Sequence, residues 1–336
     1  MPLVPMKQIL DEAERGGYGV GAFNVNNMEQ IQAIMRAARE ARSPVIVQAS
    51  RGALRYTNLV YLRHLMAAAV EDNPTIKIAL HLDHGNDLDV VKQAIELGFT
   101  SVMIDGSLEP DGKTPRSFES NVEITRAAVE IAHRYGVTVE GELGTLGGIE
   151  EHVQASRVIL TDPEEAVEFV RLTGVDALAV AIGTSHGAYK FKATPTLAID
   201  RVRKIHELIP HVRLVMHGSS SVPQELVEQI NRYGGRMPNA MGVPIEAIQE
   251  AIRCGIRKIN VDTDTRLAAT ATIRKIFHEH PEVFDPREYL GPARDAIAQV
   301  VQARMEAFGS AGHNDDYEPM TLEDARRLYA QPAGAR

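Results

Sequence analysis

Short apolar runs rich in Val, Ile and Leu alternate along this chain with stretches whose apolar residues recur every three to four positions, and the alternation repeats eight times. The spacing predicts strands over 20–25, 44–49, 76–82, 101–104, 137–143, 177–182, 213–217 and 258–261. Helical periodicity follows over 28–41, 89–97, 117–135, 163–172, 196–208 and 223–233. Continuously apolar strands joined by helical crossovers make a parallel sheet covered on both faces. Eight such units close into a (β/α)8 TIM barrel rather than an open sheet. Helix starts carry their own signals, as in Thr161-Asp162-Pro163-Glu164-Glu165, where a capping side chain precedes a proline and two acids suited to the first turn.

No linker rich in Pro, Gly or Ser divides the chain, so residues 1–336 are read as one domain. Two regions depart from the simple repeat. An insertion over 234–243, followed by a helical stretch over 244–254, precedes the eighth strand. After the eighth unit, 285–308 and 321–330 read as extra C-terminal helices around a loop, 309–319, expected to be mobile.

Charge and cysteine usage narrow the function classes. The formal net charge is −9 with no basic cluster, which argues against nucleic acid or an anionic membrane as partner. Any anionic substrate must be attracted locally. The single cysteine, Cys254, precludes an intramolecular disulfide and fits a reducing compartment. The first residues lack the pattern of a signal peptide and no apolar run reaches about 18 residues, so the expectation is a cytoplasmic protein.

In such a barrel, function gathers at the C-terminal ends of the strands. That rule collects Asn24, Ser50, Asp83 with His84, Asp105 with Ser107, Glu140 with Glu142, residues 183–186, residues 217–220, and Asn260, Asp262 and Asp264. His84, His186 and His217 come from three strand ends and have the chemistry of a catalytic zinc site. The competing reading for any lone histidine is a structural or surface role. That reading is preferred for the histidines in helices and in the tail, and for His152; His81 is read as a supporting partner behind Asp83. Gly183-Thr184-Ser185-His186-Gly187 and His217-Gly218-Ser219-Ser220-Ser221 set glycines beside hydroxyls and helix starts, as phosphate sites do, although tight βα turns look the same in sequence. The loop Gly144-Thr145-Leu146-Gly147-Gly148-Ile149-Glu150 pairs flexible glycines with a carboxylate that could be carried over a substrate.

At these residues the sequence resembles the class II, metal-dependent fructose-1,6-bisphosphate aldolases. The resemblance is carried by Ala22-Phe23-Asn24-Val25, Gln48-Ala49-Ser50, His81-Leu82-Asp83-His84-Gly85, Ile104-Asp105-Gly106-Ser107 and Glu140-Gly141-Glu142. It continues through Gly147-Gly148-Ile149-Glu150, Gly183-Thr184-Ser185-His186-Gly187, His217-Gly218-Ser219-Ser220, Asn260-Val261-Asp262-Thr263-Asp264 and Asp285-Pro286-Arg287. It implies a lyase with zinc held by His84, His186 and His217, and a second divalent metal position helped by Asp105 and Glu142. Asp83 matches the catalytic acid/base and Glu150 the loop acid. Gly187, Gly218, Ser220 and Thr263 match a pocket for the phosphate on the dihydroxyacetone side, where K+ or Na+ assists. Ser50 and Arg287 match contacts to the other phosphate, the arginine reaching in from a neighbouring subunit of a homodimer or homotetramer. Asn24 and Asn260 match substrate contacts.

The reaction so implied is retro-aldol cleavage of fructose 1,6-bisphosphate through a zinc-stabilised enediolate. Lys258 is read as starting the eighth strand, at the wrong end for a Schiff base, and Lys190 and Lys192 as loop residues, so a lysine mechanism is rejected. Asp262 follows the fructose pattern rather than the alanine typical of tagatose-bisphosphate aldolases, the nearest rival. The triple serine after Gly218, the insertion over 234–243 and the tail resemble the branch of autotrophic bacteria, where sedoheptulose 1,7-bisphosphate is a further expected substrate. A metal-dependent barrel hydrolase and a noncatalytic metabolite sensor are the alternatives from other classes.

Overall fold

The computed structural model describes residues 3–109, 113–145, 147–148, 159–188 and 197–331. Strands β1 (Val20–Asn24), β2 (Val45–Ser50), β3 (Ile78–Gly85), β4 (Ser101–Ile104) and β5 (Thr138–Leu143) form the first five staves of a barrel. Strands β7 (Ala177–Val180), β9 (Arg213–Met216) and β10 (Ile256–Val261) complete it. All pair in parallel, in the order β1-β10-β9-β7-β5-β4-β3-β2, and Val20 facing Lys258 closes the ring. Two short strands, β6 (Gly147–Gly148) and β8 (Ser185–His186), pair outside the barrel and tie the loop after the fifth stave to the loop after the sixth.

The helices are α1 (Met6–Gly16), α2 (Met28–Ala41), α3 (Arg51–Thr57), α4 (Leu59–Asp72), α5 (Leu88–Glu96), α6 (Phe118–His133) and α7 (Pro163–Thr173). They continue with α8 (Ile199–Leu208), α9 (Gln224–Arg232), α10 (Ile245–Arg253), α11 (Thr263–Glu279), α12 (Pro286–Phe308) and α13 (Leu322–Tyr329). The eight-unit barrel, the helix of the insertion and both C-terminal helices follow the sequence reading. Helices α1, α3, α4 and α11 were not among the expected spans. Helix α1 has a buried stripe, Met6, Ile9, Leu10 and Ala13, but starts at Pro5 without a side-chain cap, so its usual sequence marker is missing.

Side-chain alternation divides the core in two. Outward residues such as Phe23, Val47, Leu82 and Val139 pack under the helices. Inward residues at the lower end are small or apolar, Val20, Ala22, Ile46, Ala79, Met103, Ala177 and Val215, and the α1 stripe plugs them from below. Glu14 of α1 holds Arg257 Nε at 2.7 Å, fastening the plug to the eighth stave. With the bottom plugged by apolar side chains, the polar inward residues gather toward the C-terminal mouth.

The loop after α12 is pinned, contrary to the expectation of mobility. Ser310 and Asn314 are buried; Ser43 Oγ donates to Ser310 Oγ at 2.8 Å, and Asn314 Oδ1 accepts from Lys77 N at 2.9 Å. The insertion is also anchored: Val243 N donates to Ser220 O, and Met241 N to Ala188 O, so it braces the loops beside the mouth.

Candidate metal centre

The sequence His81-Leu82-Asp83-His84-Gly85 poses a local problem, because strict alternation sends Asp83 and His84 to opposite faces. The ladder resolves it with a bulge. Leu82 pairs with Val102 and Gly85 with Ile104, so β3 advances one residue more than β4 over the same span. His84 takes up the slack with a φ of 50°, and both side chains then reach the mouth. Gly85 permits this turn, since a Cβ there would lie 2.6 Å from the Met103 carbonyl oxygen.

The nitrogens of two candidate ligands face each other: His84 Nε2 lies 3.0 Å from His217 Nδ1. The far sides of both rings meet carboxylates. His217 Nε2 is 2.7 Å from Glu140 Oε1, and His84 Nδ1 is 3.3 Å from Asp105 Oδ2 and 4.0 Å from Glu142 Oε2. An N–H donated to each carboxylate leaves Nε2 of His84 and Nδ1 of His217 turned toward each other at the mouth, where each can serve as a donor to a metal once its ring is neutral. Carboxylate-backed imidazoles are the usual metal donors. The donor set fits a divalent metal. Potential ligand atoms of Asp83, His84 and His217 lie within 4.8 Å of one another, as do those of His84, Asp105 and Glu142, so two groupings share His84. His186 ends the short strand β8, and its side chain is outside the described residues. Glu150, His152, Lys190 and Lys192 also lie outside them.

Burial and charge shape these groups. Burial strips water from Glu142 and the Asp105 charge adds repulsion, so its carboxyl is held well above the ordinary range. Burial also works against the charge of Asp105, but His84 and two hydrogen bonds from Ser107 prevail and bring it down to about 2. His84 loses hydration, yet Asp83, Asp105 and Glu142 more than compensate and raise it well above its ordinary range. For Asp83 the same desolvation is outweighed by His84, His217 and Lys258, which lower it. His81 is pushed well below its ordinary value, first by burial and then by Lys258, and its Nδ1 sits 2.8 Å from Ser101 Oγ.

Asp83 is gripped by three amides. Asn260 Nδ2 donates to Oδ1 at 3.1 Å; Gln48 Nε2 and Asn24 Nδ2 donate to Oδ2 at 3.2 and 3.4 Å. Gln48 also donates to Asn24 Oδ1 at 2.7 Å. The sequence reading missed Gln48, whose signal is a lone amide inside the apolar strand Val45-Ile46-Val47-Gln48. It also misplaced Lys258. That residue lies within β10, not at its start, and is fully buried inside the barrel, with Nζ 2.9 Å from Glu140 Oε2.

On the other side of the mouth, Gly187 and Gly218 have φ of 83° and 59°, and a Cβ on Gly218 would lie 2.6 Å from Ser185 O. Ser220 Oγ accepts from Asp262 N at 3.2 Å, and Thr263 opens α11 immediately after Asp262. These residues therefore share one rim. Asp264 turns away from it: fully buried, it accepts from Val222 N at 2.8 Å and Arg304 Nε at 2.9 Å, a structural anchor for the serine loop. Asp262 meets Arg266 at 2.6 Å. Ser50 pairs with Asp83 across the β2–β3 ladder and caps α3. Arg287 stands apart on the surface, its side chain 89% exposed and bound to Asp285.

The family model for class-II fructose-bisphosphate aldolase matches residues 4–313. The chain belongs to the class II fructose-bisphosphate aldolases. A relative from Giardia intestinalis named fructose-bisphosphate aldolase is 59% identical, covering 98% of this chain and 100% of the relative. One from Synechocystis, named fructose-bisphosphate aldolase class 2, is 53% identical over 98% of this chain and 96% of its own length. Among solved structures, the YdjI aldolase from Escherichia coli K12 superposes with a TM-score of 0.76 at 28% identity, covering 93% of this chain and 100% of that one. The resemblance read from the motifs is thus established, together with the barrel, the lyase activity on fructose bisphosphate and the metal dependence that go with the family. Among the described residues, no helix is long and apolar enough to cross a membrane.

Proposed function

We propose that the strand ends at the barrel mouth carry the reversible cleavage of D-fructose 1,6-bisphosphate to dihydroxyacetone phosphate and D-glyceraldehyde 3-phosphate, with zinc held by His84, His186 and His217. The observation that carries this reading is the facing pair of ring nitrogens, 3.0 Å apart and backed by carboxylates, beside the Asp83 carboxylate. Bound there, the metal supplies a Lewis acid for the charge left on C3 when the C3–C4 bond breaks. Asp83, oriented by its three amides, takes the proton of the C4 hydroxyl in the same step. Glu150 then protonates C3, and condensation reverses the order. No nucleophilic side chain is required.

Asp105 and Glu142, with His84, offer a second divalent position. Gly187, Gly218, Ser220 and Thr263 take the phosphate on the dihydroxyacetone side, assisted by a monovalent cation, K+ or Na+. Ser50 and the partner subunit's Arg287 take the other phosphate, which makes the working form a homodimer or homotetramer; the exposure of Arg287 supports a role across an interface. Asn24 and Asn260 touch the sugar as well as Asp83, and Asp262 selects the fructose over the tagatose configuration. Sugar-phosphate substrates and one buried, unpaired cysteine suit the cytoplasm.

Asp83→Ala tests the assignment. It should bind the bisphosphate and still exchange the C3 proton of dihydroxyacetone phosphate while losing cleavage. Cleavage at the parent rate would refute the role of Asp83. Assays on fructose, tagatose and sedoheptulose bisphosphates decide the substrate.

A further inference from the structure

Beneath the mouth lies an ion pair that the proposed chemistry does not use. Lys258 and Glu140 are both wholly removed from solvent, with Nζ 2.9 Å from Oε2. A buried ion pair is a poor way to gain stability, because desolvating two charges offsets most of their attraction and an apolar pair of equal volume does as well. Its contacts point elsewhere. Glu140 Oε1 is 2.7 Å from His217 Nε2, and Lys258 Nζ donates to Asn260 Oδ1 at 2.8 Å. Asn260 Nδ2 in turn donates to Asp83 Oδ1.

We propose that Lys258 is a positioning residue that sets the metal ligand and the acid/base together from inside the barrel, through Glu140 to His217 and through Asn260 to Asp83. The proposal rests on the reading of Asp83 and His217 given above. Each branch removes an ambiguity. By accepting from Nε2–H, Glu140 keeps the His217 proton away from the mouth and presents the Nδ1 lone pair there. By donating to Asn260 Oδ1, Lys258 decides which way that amide faces, so Nδ2 and not the oxygen meets Asp83. A neutral or shorter residue at position 258 leaves Asn260 able to turn its oxygen toward the Asp83 carboxylate, where two acceptors oppose each other. Holding Glu140 by its other oxygen, Lys258 also keeps Oε1 aimed at the imidazole.

The test separates positioning from filling space. Lys258→Met alone leaves Glu140 charged without its cation, so it is compared with the double variant Lys258→Met/Glu140→Gln, in which both charges are gone and the volumes remain. The double variant should melt close to the parent. Its zinc affinity, read by competition with a chromophoric chelator, should fall about 10- to 100-fold, with kcat falling in the same range and KM for the bisphosphate changing much less. Its cobalt-substituted form should show an altered visible spectrum. Parent-like zinc affinity, kcat and cobalt spectrum in a folded double variant would overturn the proposal. A second measurement needs no substitution: nitrogen-15 NMR of histidine in the metal-free enzyme should show His217 protonated on Nε2, and a proton on Nδ1 alone would overturn it equally. Failure of the unsubstituted enzyme to bind zinc would instead sink the underlying assignment of the metal site.

Discussion

Replacing Gln48 by Met tests how far the amide grip on Asp83 matters. Gln48 is fully buried, and Met has nearly its volume, so the packing change should stay below about 1.5 kcal/mol. What disappears is the donor to Asp83 Oδ2 at 3.2 Å and the donor to Asn24 Oδ1 at 2.7 Å. A hydrogen bond to a charged group contributes about 1.5–3 kcal/mol. If that contribution is realised only when the carboxylate is correctly aimed at the C4 hydroxyl, kcat should fall about 10- to 100-fold. Asn24 keeps its own 3.4 Å contact to Asp83 but loses its anchor, so the loss is not shared out by the neighbour. KM should move far less, because Gln48 touches the acid/base and not the phosphate rim. Steady-state cleavage followed by a coupled NADH assay, alongside a thermal melt, measures both. A variant with parent-like melting and kcat within twofold would refute the claim that the amides orient Asp83 for catalysis.

Two further outcomes are expected. In the metal-free protein, Glu142 and His84 are both raised, so each holds its proton to a higher pH than usual, and a metal must displace it. Their favourable contribution to the metal-free fold is present at low pH and fades as pH rises through their folded values, so zinc affinity should increase with pH. Calorimetric titration with zinc in two buffers of different ionisation enthalpy should show proton release, and identical heats in both buffers would contradict it. Asn314→Ala should destabilise the protein by about 1–3 kcal/mol in urea unfolding, because the buried Lys77 amide loses its acceptor. An unchanged midpoint would mean the tail contributes nothing to the barrel floor.

The barrel was legible because parallel strands buried on both faces leave continuous apolar runs that period-3.6 stretches interrupt. The rule that function gathers at the C-terminal strand ends then collected Asp83, His84, Asp105, Glu142, His217 and Asn260, which the fold brings around one mouth. Helix α1 escaped because Pro5 offers no cap; α3 and α4 share the one long span between the second and third strands, and α11 lies past the last strand signal, between it and α12. The bulge at His84 is one residue of slip in a ladder, and nothing in an alternation pattern marks it. Lys258 was misread for a related reason. Setting the strand to begin two residues late put a charge at its edge, whereas the chain from Ile256 buries it. The loop over 309–319 was expected to be mobile as a connection between two extra helices with no structure of its own. Its buried Ser310 and Asn314 find partners far away in sequence, on residues that only the closed barrel brings near.

Under the proposed function, a metal held between imidazoles at the mouth, and not a lysine, carries the carbanion chemistry. Cleavage of fructose 1,6-bisphosphate measured with excess EDTA, and again after zinc is restored, tests it most directly. Activity should be lost in chelator and recovered with zinc. Full activity in excess chelator, with borohydride trapping the substrate on a lysine, would contradict it.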